Sequence, residues 1–497
     1  MRKLQPLMIQ GTGSHVGKSF LATALCRILL RRGYEVAPFK AQNMANNAAA
    51  VAGGEIGRAQ ALQAAAGRVD PDVRMNPVLL KPSGDRRSQV VLMGKPVGTF
   101  TVRQIDRRKP VWFKTVRRAF QTLSAENDAM VIEGAGSPAE INLRSVDFAN
   151  MRVAKMAGAR VILVGDIDRG GVFASLFGTV RLLRPDERDT LIGLCINKFR
   201  GDATLLDSGL RFLRRKTGHP VLGVIPYDTE LRLPEEDSLA LGWRTPGRQG
   251  RDGRRLALGL VRTPHIANFT DFDPFQVEPD VMIRDVVRPK DLSGLSTVLL
   301  PGSKNVFGDM DFLRRSGLAD ALRSDTRLPI VGICGGLQLL GRAMIDPGGV
   351  EAGRPARTAG LGLLPVVTRF SRKKIVRPVV WRHRPSKALI RGYEIHHGMV
   401  SVIDGSTGAC QPLFHGENET REGCISSDGR VIGTLTHGVF DSDRFRAAFL
   451  NGLRKRAGRP LRPPARYDLD SLIDRAADLV ESHLDVGAIL RRLIKHS

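Results

Sequence analysis

The sequence predicts an α/β protein built from two doubly wound, largely parallel domains. Three observations carry that expectation. From residue 6 to about 226, short apolar runs alternate with helical stretches, the pattern of strand–helix–strand units. The alternation stops at GWRTPGRQGRDGRR (242–255), which is polar, basic and rich in glycine, and resumes after it. The length of 497 residues accommodates two to four domains of roughly 100–200 residues. The expected layout is a first domain at 1–241, a linker at 242–255, a second domain at 256–455 and a helical tail at 456–497.

The elements follow in order. LMIQ, EVAPFK, AMVIEGAG, RVILVGDID, LIGLCINK and PVLGVIP read as buried strands. GKSFLATALCRILLRRG and LLDSGLRFLRRKTG read as helices that stop at a glycine. Beyond the linker, LALGLVR, STVLLPG and PIVGIC are strands, and a helix follows Cys334. YEIHHG comes later, then a hairpin in CISSDGRVIGTLTHGVF that turns at Asp428-Gly429. Residues 466–494 space their apolar side chains by three and four, which predicts an amphipathic helical tail packed on the second domain.

Composition narrows the function classes. The chain is 42% hydrophobic, as in proteins with sizeable cores. It has no apolar run of about 18 residues, so no membrane span is expected. The start of the chain is too short in apolar residues for a signal peptide. Five scattered cysteines, Cys26, Cys195, Cys334, Cys410 and Cys424, argue against a disulfide framework and for a reducing cytoplasm. No CxxC pair suggests zinc. The net charge of +26 raises nucleic acid as a partner. But the arginines are spread along the chain and aromatics are only 5%, so no nucleic-acid partner is expected; the plain reading is a generally arginine-rich composition, and a third is a polyanionic substrate.

The first candidate site is IQGTGSHVGKS, between a strand and a helix. Backbone N–H groups around Thr12, Gly13 and Gly17 would cradle phosphates, with Lys18 supplying positive charge and Ser19 a Mg²⁺ ligand. The usual first glycine is Thr12 here, and Gly11 stands one residue early. Glu133 ends the strand in VIEGAGS, and Asp166 or Asp168 ends the next, in VGDIDRGG. Both strand ends lie where doubly wound sheets bind ligands, so Glu133 and Asp166 are candidate Mg²⁺ ligands, against the plainer reading of solvated loop acids. Asn197, in INKFRGD, is a candidate contact to the nucleotide base or else a turn residue.

The second candidate site is VGICGG. Cys334 stands between strand and helix with glycine on both sides, the arrangement of an exposed nucleophile on a sharp elbow. Gly302 and Ser303 of PGSKN, with Gly335, are candidate oxyanion donors. A thiolate needs a histidine partner. His396 and His397 are adjacent and face opposite ways on a strand, whereas His437 ends an apolar strand in GTLTHGVF and is the preferred base. Cys26 and Cys195 lie inside apolar patterns and read as core.

These motifs carry a resemblance. PGSKN, GICGGLQLLG, GYEIHHG and GTLTHGVFD resemble a class I glutamine amidotransferase domain. The shifted loop resembles that of dethiobiotin-synthetase-like ATPases. The two joined in this order resemble the corrinoid amidases. PFKAQNMANNAAA (38–50), GGEIGRAQALQA (53–64), MNPVLLKP (75–82) and GDIDRGGVFASLFGT (165–179) are similar to the cobyric acid synthase family. The resemblance implies glutamine hydrolysis by Cys334 and His437, and ATP-dependent amidation of the b, d, e and g carboxylates of adenosylcobyrinic acid a,c-diamide. ATP and Mg²⁺ are implied, with no permanently bound cofactor. Cobyrinic acid a,c-diamide synthase is the nearest alternative. A partitioning-type ATPase would use the loop and the charge but leave Cys334 and His437 without a purpose. Two positions depart from the relatives. Val439 stands where class I amidotransferases carry a glutamate, so the group that orients His437 is unassigned, and His15 replaces a frequent loop acid.

Overall fold

The computed structural model describes residues 3–84, 87–234, 255–403 and 410–494. The expected linker, apart from Arg255, lies outside the described residues. The chain forms two compact units. One comprises the residues up to Ala45, Ala52–Pro234, and the chain from Asp468 on; the other comprises Asn46–Val51 and the residues up to Tyr467.

The first unit is built on six parallel strands. Their spatial order is Val221–Pro226, Leu191–Phe199, Arg160–Asp166, Leu7–Gly11, Ala129–Glu133 and Val36–Phe39. Apolar side chains leave both faces of the sheet: Met8 joins one core cluster, Leu7 and Ile9 the other. Helices cover both faces, so near-continuous apolar runs fit better than alternation. After Leu7–Gly11 the chain builds one side of the sheet and then the other. The switch point is therefore at the C-terminal ends of Leu7–Gly11 and Arg160–Asp166, where such sheets bind ligands.

A four-stranded sheet was not expected: Gln42–Met44, Val78–Gly84, Arg87–Leu92 and Lys95–Thr101. It feeds a long helix, Val102–Glu126, which Thr101 and Gln104 start with a reciprocal capping box.

The tail corrects the sequence reading. Its helices, Leu469–His483 and Val486–Leu493, pack in the first unit and not on the second. Ile473, Ala476, Ala477 and Val480 share a core with Leu21, Leu25 and Ile28 of the helix Lys18–Arg31. A charge ladder reinforces the apolar stripe. Arg27 is buried and pairs with Asp470 and, at 3.0 Å, with Asp474. Arg31 pairs with Asp474 at 2.7 Å and Asp478 at 2.5 Å. Arginines four apart on one helix meet aspartates four apart on the other.

The second unit has five parallel strands, Val281–Val286, Leu256–Val261, Thr297–Leu300, Ile330–Ile333 and Val431–Thr434, extended antiparallel by Cys424–Ser426 and Cys410–Gln411. The predicted hairpin is the last part of this sheet, with Gly429 in the left-handed region at φ 67°. Cys410 and Cys424 form a disulfide, which the scattered cysteine spacing did not suggest; antiparallel pairing brings the two residues together. A long ribbon, Val366–His383 with Ala388–Val402, completes the unit.

Candidate active site

The phosphate loop leaves the strand Leu7–Gly11 at the switch point. Gly11 has no room for a side chain, since a Cβ would meet Val16 Cγ2 at 2.4 Å. Gly17 adopts φ 99° immediately before the helix that starts at Lys18. Lys18 Nζ donates to the carbonyls of Gly13 at 2.7 Å and Gly136 at 3.1 Å, which curls the ammonium over the loop. Thr12 N–H donates to Val164 O at 2.9 Å. The next strand end clamps the other side. Asn197 Nδ2 donates to Val16 O at 2.9 Å, and Lys198 Nζ to His15 O at 2.6 Å. The Asn197 amide nitrogen is thus committed to shaping the loop, while His15 sits at φ 61°.

Glu133 is buried beside the loop. Its Oε1 accepts from Ser19 Oγ at 2.9 Å and Lys40 Nζ at 2.7 Å, and its Oε2 from Gln63 Nε2 at 2.5 Å. Burial alone would raise this carboxyl; Lys40, Gln63 and Ser19 outweigh it and hold Glu133 below the ordinary carboxylate range. Ser19 and Glu133 suit Mg²⁺, because 2.9 Å is close to the roughly 3 Å between neighbouring ligands of an octahedral ion with bonds of about 2.1 Å. Asp166 is differently engaged. It accepts from Lys198 Nζ at 2.9 Å and from the Asp168 N–H at 2.9 Å. Among the described residues no three His, Cys, Asp or Glu side chains converge as a metal cage. An ion at Ser19 and Glu133 would draw its other ligands from phosphates and water.

In the second unit the paired strands Ile330–Ile333 and Val431–Thr434 run parallel, with Ile333 beside Thr434. Their C-terminal ends therefore release Cys334 and His437 on the same edge of the sheet. Cys334 has φ 52° and ψ −104°, a strained conformation for a residue with a side chain. Its N–H donates to Thr434 O at 2.7 Å. The flanking glycines are sterically required. A Cβ on Gly335 would lie 2.6 Å from Ser303 N, and one on Gly336 2.1 Å from Leu300 O. The same contact shows that Gly335 and Ser303 meet, so the candidate oxyanion donors are brought together. Gly302 lies against His437, with its Cβ position 3.3 Å from Cε1.

His437 is buried and held on three sides. Its backbone pairs with Tyr393, whose ring stacks on the imidazole at 5.2 Å and 22°. Nδ1 donates to Asp271 Oδ2 at 2.7 Å, and the Gly438 N–H donates to Asp271 Oδ1 at 2.9 Å. Asn268 Oδ1 accepts the Ala48 N–H at 3.0 Å, which turns Asn268 Nδ2 toward His437 Nε2 at 3.2 Å. Burial disfavours the imidazolium, but Asp271 and Cys334 more than offset it, and His437 is raised to about 10. Asn268 opposes a proton on Nε2, yet one neutral amide dipole is weaker than the carboxylate at 2.7 Å.

Asp271 is the residue that sequence reasoning missed. Val439, where an acid was sought, is buried in a core with Phe272 and Phe440. The carboxylate arrives instead from NFTDFDPF, 166 positions earlier in the chain. The only hint there was two aspartates set among aromatics. His396 is buried with Nδ1 2.7 Å from Gly398 O, and His397 is half-buried near Ser371 O, so neither competes for the role of base.

The geometry defines a cysteine-dependent amidotransferase unit and a nucleotide-binding unit, and comparison with known proteins agrees. Residues 7–240 match the CobQ/CobB/MinD/ParA nucleotide binding domain, and residues 257–445 the CobB/CobQ-like glutamine amidotransferase domain. The chain is 48% identical to a cobyric acid synthase of Nitratidesulfovibrio vulgaris, over 97% of this chain and 96% of that one. It is 46% identical to a cobyric acid synthase of Sorangium cellulosum, over 98% of both. An adenosylcobalamin biosynthesis bifunctional protein of Leptospira interrogans matches at 42% over 99% of this chain and 57% of its own. The chain belongs to the cobyric acid synthase family of glutamine-dependent amidotransferases.

Proposed function

We propose that the protein amidates the b, d, e and g side-chain carboxylates of adenosylcobyrinic acid a,c-diamide to give adenosylcobyric acid, using ATP and glutamine. The observation that carries the glutaminase half is the chain of contacts Asp271–His437–Cys334. Cys334 gives its thiol proton to His437, and its Sγ adds to the δ-carbonyl carbon of glutamine. The N–H groups of Ser303 and Gly335 stabilise the oxyanion. His437 passes a proton to the departing nitrogen, the C–N bond breaks, and ammonia leaves a glutamyl thioester. Water then releases glutamate and restores the thiol. Asp271 keeps the imidazole oriented and its charge balanced throughout.

A carboxylate does not accept ammonia directly, so activation comes first. A carboxylate oxygen of the corrinoid attacks the γ-phosphorus of ATP, ADP leaves, and ammonia displaces phosphate from the acyl phosphate. Lys18 and the loop N–H groups hold the phosphates. Ser19 and Glu133 would hold a Mg²⁺ ion, which would supply charge neutralisation for this transfer when bound. Family membership and the motifs at 38–50, 53–64, 75–82 and 165–179 support the corrinoid assignment.

The test is mass spectrometry of adenosylcobyrinic acid a,c-diamide incubated with the protein, ATP, Mg²⁺ and glutamine. Each conversion of acid to amide lowers the mass by about one unit. Four steps are expected, and a substrate that stays unchanged would overturn the assignment.

A further inference from the structure

The oxyanion strand and the loop that orients His437 share one small frame. Gly302–Ser303 pairs antiparallel with Ile266–Ala267, Ser303 opposite Ile266 and Gly302 opposite Ala267. The residue after Ala267 is Asn268, at φ 50°, and Asp271 follows three positions on. One short strand therefore holds the oxyanion candidates Gly302 and Ser303, and the other leads directly into Asn268 and Asp271, two of the side chains that touch His437. A pair of two-residue strands has little stability of its own, so something else must hold it.

Asp309, in the helix Val306–Arg315, does so. It is 0% exposed and its carboxylate faces three donors. Oδ1 accepts the His265 backbone N–H at 3.0 Å and lies 2.9 Å from His265 Nδ1. Oδ2 accepts the Ser303 hydroxyl at 2.5 Å. The links continue outward. Ser303 Oγ accepts the Asn305 N–H at 3.0 Å, and the Lys304 N–H donates to His265 O at 2.8 Å. Gly308 leaves space for the histidine ring, since a Cβ there would be 2.7 Å from His265 Cε1. A buried carboxylate is costly unless its lone pairs are filled. Here the donors are Ser303 in one strand and His265, the residue immediately before the other, so satisfying one carboxylate fixes the spacing between the two strands.

We infer that Asp309 is a positioning residue of the glutaminase reaction: by bonding Ser303 and His265 together, it sets the oxyanion donors in register with the Asn268–Asp271 loop and hence with His437. The inference rests on the glutaminase reading above. Asp309 touches no reacting atom. It acts on the addition step, where an oxyanion must be met, and not on the reactivity of the sulfur.

The experiment compares Asp309→Asn with Ser303→Ala and the double variant in the full chain. Asp309→Asn is expected to lower glutaminase kcat by about 10- to 100-fold, in the range of a displaced oxyanion donor, with KM changed less than about threefold. Alkylation of Cys334 by iodoacetamide needs no oxyanion and stays within about twofold of the parent. Because Asp309 works through Ser303, the double variant is no slower than the slower single variant. A kcat within twofold of the parent, additive losses, or alkylation slowed as much as kcat would each overturn the inference. If Asp309→Asn does not fold, as a circular-dichroism spectrum and melting transition unlike the parent's would reveal, Ser303→Ala and His265→Ala each remove one donor; unchanged kcat in both also overturns it. Cys334→Ala separates the two readings. If Cys334→Ala retains glutaminase activity, the reading of the site itself fails; if it is inactive while Asp309→Asn is normal, only the positioning role fails.

Discussion

Two buried carboxylates in the second unit, Asp271 and Glu422, are pushed in opposite electrostatic roles. Asp271 serves the imidazolium. Replacing it with Asn keeps the shape but removes the charge that raises His437 to about 10. Asp271→Asn is expected to slow glutamine hydrolysis on the order of 10³-fold or more. It also moves the alkaline limb of the glutaminase pH profile to lower pH, because the imidazolium then loses its proton sooner. An unchanged limb in steady-state rates would count against Asp271 as the orienting group. Among the described residues Glu422 is met by the Thr434 hydroxyl and the Leu435 N–H and by no cation. Burial pushes it up to about 7, with Glu394 adding to the rise and the Thr434 hydroxyl and Leu435 N–H opposing it. Folded Glu422 keeps its proton to about pH 7, whereas an unfolded carboxyl gives it up near 4.5. The native state binds more protons in that window, so stability falls as pH rises from about 4.5 to about 7 and stays lower above. Glu422→Gln removes the penalty. It should melt higher than the parent at pH 8, by up to about 3 kcal/mol since each pKa unit is about 1.4, and match it at pH 4.5. Thermal denaturation at the two pH values reads this directly.

At the scale of elements, the parallel strands were legible because both of their faces are buried, which writes them as continuous apolar runs. The elbow at Cys334 was legible because steric exclusion demands glycine at Gly335 and Gly336. Partners that meet only through folding were not. Asp271 reaches His437 across 166 positions, and Asp309 reaches His265 across 44, distances over which no local period operates. The sheet made by Gln42–Met44, Val78–Gly84, Arg87–Leu92 and Lys95–Thr101 was hidden because its outer strand, Lys95–Thr101, is largely exposed and lacks an apolar run. The tail was read as helical from its spacing, but amphipathicity says only that one face is covered, not by what. Its acidic ladder opposite Arg27 and Arg31 held that information. Arg27 also donates Nε–H to Ala66 O at 2.9 Å. Arg27→Ala therefore strands a buried carbonyl and removes the tail's anchor, at a cost of roughly 1–3 kcal/mol. Limited proteolysis should cut before Leu469 sooner than in the parent; an unchanged cleavage rate would show that the apolar stripe alone holds the helix.

For the whole molecule, the two chemistries reside in separate units and should separate by mutation. Cys334→Ala is expected to abolish glutamine-dependent amidation and spare amidation with added ammonia. Lys18→Ala is expected to stop amidation with either nitrogen source. Amidation assays with glutamine and with ammonium chloride decide both; loss of ammonia-dependent turnover in Cys334→Ala would refute separate sites. The net charge of +26 is not accounted for by either site, since the basic residues extend along the whole chain. The tail has a consequence for how the protein is made. The Gln5 N–H donates to Leu493 O at 2.8 Å, Leu4 bridges to Ile494, and the Asp485 N–H donates to Leu222 O at 2.8 Å. The nucleotide-binding unit is closed by residues from Asp468 on, whereas the amidotransferase unit ends at Tyr467. During synthesis the half encoded second can finish first. A nascent chain that has reached only Tyr467 would therefore hold every segment of the amidotransferase unit while its nucleotide-binding unit still lacked the helices Leu469–His483 and Val486–Leu493.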